Sequence, residues 1–170
     1  MSLTYSSMLP LGTKLIAFEL IDTVSEKNFS SDEFEISKPT LIMFICNHCP
    51  YVIHYHSEIQ RISQDYKDQI NMVAISSNDV DNYPQDGPQQ MQDLWEDLGI
   101  SFPYLFDETQ MVAKAYKAEC TPEFYLFDVN RKLVYRGRLD ESSPNSTTLP
   151  SGKDLRDSIE NLFNDREISL

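Results

Sequence analysis

The sequence predicts an α/β fold with a central mixed β-sheet, helices on both faces and an N-terminal β-hairpin extension. Three observations predict it. Strand-like and helix-like segments alternate through most of the chain, which implies parallel strands joined by helical crossovers. Two apolar runs, "TLIMFI" at 40–45 and "INMVAIS" at 70–76, are continuous rather than alternating, as strands buried on both faces are. A late pair of strand-like segments flanks Asn130-Arg131 and reads as a hairpin that adds antiparallel strands at one edge.

Residues 14–23, "KLIAFELIDT", partly alternate and give the first strand, with "SEKN" in the polar stretch after it as a turn. Pro39 introduces the first buried run. From 50 to 68, Val52, Tyr55, Ile59, Ile62 and Tyr66 recur at spacings of three and four, the stripe of an amphipathic helix. The second buried run follows, then the turn-rich loop "SNDVDNYPQDGP". Residues 89–98 form a helix with Met91, Leu94, Trp95 and Leu98 on one face, stopped by Gly99. A short strand at 102–107 leads to a helix at 108–117, capped by Asp107 or Thr109. Strands at 123–129 and 132–139 make the hairpin, and a loop at 141–152 precedes a last helix at 153–163. No repeat or linker divides the chain, so residues 1–170 are expected to be one domain.

Net charge is −13. Nucleic acid is an unsuitable partner, because phosphate binding relies on clustered Lys and Arg. An anionic membrane surface is excluded on the same ground. The longest apolar run, 41–46, falls far short of the ~20 residues that span a bilayer. No basic stretch followed by a long apolar one opens the chain, so a cytoplasmic protein is expected.

The chemistry concentrates in "FICNHCPYV", which holds two of the three cysteines. In a reducing compartment so close a pair is more often catalytic or metal-binding than structural. Cys46 and Cys49 lie where a buried strand hands over to a helix. Unpaired N–H groups and a partial positive charge at a helix start favour thiolate over thiol. Two readings are open. Cys46, as the outer sulfur, attacks and Cys49 resolves the mixed disulfide. Alternatively Pro50 opens the helix, Cys49 is its cap, and Cys49 is the reactive sulfur. Asn47 and His48 sit between the pair and tune it. Cys120, in "CTPEFYLFD", is either a second resolver or a small buried residue. Hairpin pairing brings Arg138 near Pro122, where a guanidinium would stabilise a thiolate. The plainer reading of Arg138, given the acidic chain, is an ordinary salt bridge.

The segments "FICNHCPYV", "ISSND", "PYLFDETQMVAKAY", "CTPEFYLFD", "YRGRLDES" and "DLRDSI" together resemble the thioredoxin-fold redoxins, the branch that includes the alkyl hydroperoxide reductase/thiol-specific antioxidant proteins. More narrowly the chain resembles the peroxiredoxin-like members with a Cys-x-x-Cys pair. The resemblance implies a thioredoxin-like fold, thiol redox activity at Cys46 and Cys49, and a cis-proline loop at Thr121-Pro122 facing them. It implies no cofactor. Its partners would be protein or low-molecular-weight disulfides and a reductant such as a thioredoxin or glutathione system. Several positions depart from the relatives. Ile45 stands where thioredoxins have tryptophan, and Thr40 where they have a buried acid. Ile42 and Cys46 stand where peroxiredoxins have proline and threonine, and no arginine precedes "FYLFD".

Three functions follow in order. The first is a thiol–disulfide oxidoreductase. The second is a peroxiredoxin-like thiol peroxidase, in which one sulfur becomes sulfenic acid and the other condenses with it. The third is a Cu(I) or Zn(II) carrier using Cys46, Cys49, His54 and His56. His54 and His56 are two apart on a helix and cannot both face the cysteines.

Overall fold

The computed structural model describes residues 7–168; the amino-terminal stretch read for a leader lies partly outside them. Seven strands form one sheet: β1 (Glu19–Asp22), β2 (Asn28–Ser30), β3 (Thr40–Phe44), β4 (Asn71–Ser76), β5 (Tyr104–Phe106), β6 (Glu123–Phe127) and β7 (Leu133–Gly137). The helices are α1 (Pro50–Asp65), α2 (Pro88–Leu98), α3 (Met111–Tyr116) and α4 (Lys153–Phe163). The spatial order is β2-β1-β5-β4-β3-β6-β7. β3, β4 and β5 are parallel, while β1 on β5 and β6 on β3 are antiparallel. The sheet is therefore mixed, with a parallel centre and an antiparallel hairpin on each side.

The continuous apolar run of β3 has a direct cause. Leu41 and Met43 point into one core with Val52 and Ile59 of α1, Trp95 of α2 and Leu155 of α4. Ile42 and Phe44 point into the other, with Tyr116 of α3, Phe18 and Phe34. Every residue of β3 is buried. Each such side chain taken from water contributes about 1.5–3 kcal/mol, so β3 anchors both layers. Its carboxyl end leads directly into the segment that carries the two cysteines.

Element types match the sequence expectations, and bounds differ at the ends. The first strand is confined to Glu19–Asp22; upstream, Lys14 makes only an isolated bridge to Lys132. The turn at "SEKN" closes the β1–β2 hairpin, with Ile21 opposite Asn28. Gly99 ends α2 at φ +63°, a left-handed position that suits glycine. α3 starts later than expected, at Met111, because buried Asp107 accepts from the N–H groups of Val112 and Ala113. Neither expected residue is the N-cap, which is Gln110; the Asp107 carboxylate instead reaches the first turn from three residues before that cap. Among the described residues no helix is long and apolar enough to cross a membrane.

Candidate active site

The backbone leaves β3, makes one more sheet bond from Ile45 N–H to the Ile75 carbonyl (3.0 Å), and turns into α1. Pro50 is the first helical residue and Cys49 its N-cap, in extended conformation. Proline fits there because its missing N–H would have had no helical partner. Of the two readings of the cysteines, the backbone thus adopts the one in which Cys49 caps the helix.

Burial corrects the expectation that Cys46 is the outer sulfur. Cys46 is 1% exposed, while Cys49 is half-buried. Both face Thr121, whose bond to Pro122 is cis. Cys46 Sγ lies 3.3 Å from Thr121 Oγ1, and Cys49 Sγ lies 3.5 Å from the Thr121 carbonyl. Interaction between the two free thiols separates their acidities. Cys49 is lowered to about 5 by the hydrogen bond from Cys46, against its own burial, with help from the N–H groups of Val52 and Tyr51. Cys46 is pushed up by that same bond, then by burial and by the negative charge of Asp86. A thiolate at a helix start with a proton-bearing neighbour is a competent nucleophile.

Asn47 and His48 are held by a residue from a distant loop. Asp86, 0% exposed, lies in the short 3-10 turn Pro84–Asp86. Its Oδ1 accepts from the N–H of Asn47 (2.7 Å) and of His48 (3.0 Å). Its Oδ2 bonds His48 Nδ1 and accepts from Asn78 Nδ2 (2.8 Å). The His48 ring stacks on Tyr83, with centroids 4.3 Å apart and planes 3° from parallel. Tyr104 donates to Asn47 Oδ1 at 3.0 Å. The turn between the cysteines is therefore pinned on its own side by a buried carboxylate and on the other by Thr121.

Cys120 is exposed, so the expectation of a small buried residue is not met. It lines the same cavity of about 650 Å³ as Cys46, Cys49, Lys114 and Glu119. Partial desolvation of its sulfur, then its bond to Glu123 (3.1 Å), pushes its thiol up to about 12. Glu123 also accepts from Tyr125 (2.6 Å) and pairs with Arg136 (3.0 Å). Arg138 is not brought to the sulfurs. The register, with Phe124 opposite Gly137, carries its backbone to the Pro122 end. Its guanidinium instead donates to Asp154 (2.7 Å) and Glu141 (3.3 Å). The nearby acids of α4 and of the loop that precedes it outcompete a distant thiolate.

The four-ligand metal set is not assembled. His54 Nε2 bonds Ser142 Oγ at 2.9 Å. His56 Nε2 is buried without a partner among the described residues, and burial lowers its imidazole. The one group of three donors among the described residues is Cys46, His48 and Asp86, all within 4.8 Å of one another. There the imidazole and the carboxylate are already bonded to each other.

The sequence profile of the Redoxin family matches residues 10–151. The chain belongs to the redoxin family. Its fold is thioredoxin-like. This redoxin is similar to the thiol-disulfide oxidoreductase YkuV of Bacillus subtilis (strain 168), at 27% identity over 100 residues, which is 56% of the chain. The match spans 64% of that relative's length. It is also similar to a solved conserved protein of uncharacterised function from Geobacillus kaustophilus, at 44% identity and TM-score 0.92, covering 96% of this chain and 87% of that one. A hypothetical protein from Sinorhizobium meliloti 1021 gives 34% identity and TM-score 0.92, covering 96% of this redoxin and 90% of its own chain.

Sequence reasoning missed Asp86, Asn78, Tyr83 and Tyr104. Asp86 was hidden in a stretch read only as loop. One signal was present: Pro84, Gly87 and Pro88 bracket a single carboxylate in "YPQDGP", a rigid frame out of proportion to a mere connection.

Proposed function

We propose that this redoxin is a thiol–disulfide oxidoreductase whose working dithiol is Cys46 and Cys49. The observation that carries the reading is the shared position of both sulfurs on Thr121 at the start of α1, one accessible and acidic, the other buried and protonated. Cys49 thiolate attacks a substrate disulfide and displaces one thiolate. Cys46 then attacks Cys49 Sγ, the second substrate thiolate leaves, and an intramolecular disulfide remains. A reductant of the thioredoxin or glutathione type restores the dithiol. Asn47, His48, Thr121 and Pro122 shape the site. Residues 1–170 act as one domain in this reading, and a reducing cytoplasm suits the cycle.

Cavity size and openness to Cys49 suit either a low-molecular-weight disulfide or an extended segment of a protein. The test is trapping. Cys46→Ser should accumulate a stable mixed disulfide on Cys49 when mixed with a disulfide substrate, while Cys49→Ser should trap almost none. The reverse pattern would restore Cys46 as the attacker, and no adduct on either sulfur would end the reading.

A thiol peroxidase is the second reading, favoured by the acidity of Cys49 directly before Pro50. Peroxide would oxidise Cys49 to sulfenic acid, and Cys46 would condense with it, releasing water. Among the described residues that line the cavity there is no arginine to polarise a peroxide, which keeps this reading second. Peroxide consumption by the reduced protein no faster than by free cysteine would dismiss it.

A further inference from the structure

We infer that the His48–Asp86 pair is the proton acceptor for Cys46 in the resolving step, with His48 taking the proton and Asp86 as the positioning residue behind it. The inference rests on the exchange reading above and adds to it the fate of one proton. Cys46 must lose that proton before it can attack, and it is almost wholly cut off from water. A ring nitrogen of His48 and a carboxylate oxygen of Asp86 each lie within 4.8 Å of Cys46 Sγ, a span that one bridging water closes.

Asp86 is fixed in place by its neighbours. Its two oxygens meet four donors: the N–H groups of Asn47 and His48, His48 Nδ1 and Asn78 Nδ2. The carboxylate is held against the His48 ring by these contacts. It then fixes the imidazole tautomer and stabilises the imidazolium that forms, as an oriented acid does behind a catalytic histidine. Stacking on Tyr83 holds the ring plane. Other titratable groups facing this place are Cys49, Tyr104 from β5, Lys114 from α3, and Glu119 and Cys120 from the loop before β6. Thr40 stands at the far end of β3, paired with Asn71, so it plays no part.

The step balances. The Cys46 S–H bond breaks and the imidazole gains the proton. The freed sulfur forms a bond to Cys49 Sγ as the Cys49–substrate S–S bond breaks. The departing thiolate takes the proton from the imidazolium. Two electrons pass from the cysteine pair to the substrate disulfide.

Asp86→Asn gives a test in which sign decides. The negative charge of Asp86 makes Cys46 harder to ionise, so a role limited to charge predicts faster resolution in the variant. The proton-accepting role predicts slower resolution. Reduced full-length protein carrying Cys120→Ser is mixed with 5,5′-dithiobis(2-nitrobenzoic acid) in a stopped-flow instrument. The first release of nitrothiobenzoate reports attack by one sulfur, and the second reports resolution. Asp86→Asn should slow the second release by about tenfold or more near pH 6–7, with the deficit closing as hydroxide replaces the base at higher pH. His48→Gln should show the same trend, and carries the test if Asp86→Asn does not fold. A second release that is unchanged, faster, or slowed equally at every pH in the folded variants overturns the inference. If the protein with intact His48 and Asp86 gives no second release at all, the exchange reading itself falls, and the inference with it.

Discussion

Cys49 Sγ lies 3.5 Å from the carbonyl of Thr121, the residue whose hydroxyl meets Cys46 Sγ at 3.3 Å. One residue thus touches both sulfurs through different groups. The hydroxyl can donate to a sulfur, whereas the carbonyl can only accept from one. The carbonyl contact alone does not favour a thiolate; the hydrogen bond from Cys46 and the N–H groups at the start of α1 make Cys49 the acidic sulfur.

Alkylation should therefore report an acidic Cys49. Its rate with iodoacetamide, followed against pH, should rise to half its plateau near pH 5, where the thiol is held to about 5. Cys46→Ala removes the first cause of that lowering, the hydrogen bond from Cys46, and should move the midpoint upward. A wild-type midpoint above pH 8 would contradict the assignment.

The same shift links stability to pH. The folded thiol of Cys49 sits at about 5 and its reference value is 9.0. Between these the unfolded chain binds one more proton than the folded one at this site, so stability rises with pH. The contribution is complete above pH 9 and is lost as pH falls through 5. Urea melts of the reduced protein, compared with Cys49→Ala across this range, should show the gap narrowing toward acid. A gap that widens toward acid has the wrong sign for a thiolate.

Arg136 offers a stability test near Cys120. Glu123 and Arg136 are buried and paired at 3.0 Å, and Tyr125 and Cys120 share the same carboxylate. Arg136→Ala strands a buried negative charge and should cost about 3–5 kcal/mol in chemical denaturation. A loss below about 1 kcal/mol would match an exposed pair instead.

Arg138, by contrast, is expected to be nearly silent. It is tied to Asp154 and Glu141 at the surface. Arg138→Ala should leave thiol alkylation and disulfide exchange rates within about twofold, because screened surface charges act weakly at a distance. A tenfold change in Cys49 reactivity would show that this guanidinium reaches the site after all.

Gly152 tests the packing of α4 on α1. Its φ is +65°, and an added Cβ would fall 2.6 Å from Glu58 Oε1. That carboxylate cannot swing away freely, because Arg61 and Arg156 hold it at 2.6 Å each. Gly152→Ala should cost at least the ~1–2 kcal/mol of a left-handed L-residue, read from the unfolding midpoint.

The pattern of legibility has physical causes. β3 and α1 were readable because burial on two faces, or on one stripe, writes a period into the residues themselves. Leu41, Met43, Ile42 and Phe44 are apolar because each has a core to fill. The cysteine pair and Thr121-Pro122 were readable as local words. Asp86 was not, since nothing in its neighbours says that a loop will fold its carboxylate under a turn 38 residues away. Arg138 misled for a related reason. Strand register fixes where a backbone passes, but a long side chain goes to the best-placed opposite charge, here Asp154. Which sulfur is buried also escaped, because it depends on how Thr121 closes over the turn.

The most direct measurement is a redox titration with differential alkylation and mass spectrometry on wild type, Cys46→Ser and Cys49→Ser. A single two-electron transition should convert Cys46 and Cys49 together from free thiols to one internal disulfide, with Cys120 free throughout, and either serine variant should abolish it. If the three cysteines alkylate independently at every potential, with no shared transition, the paired-sulfur chemistry is contradicted.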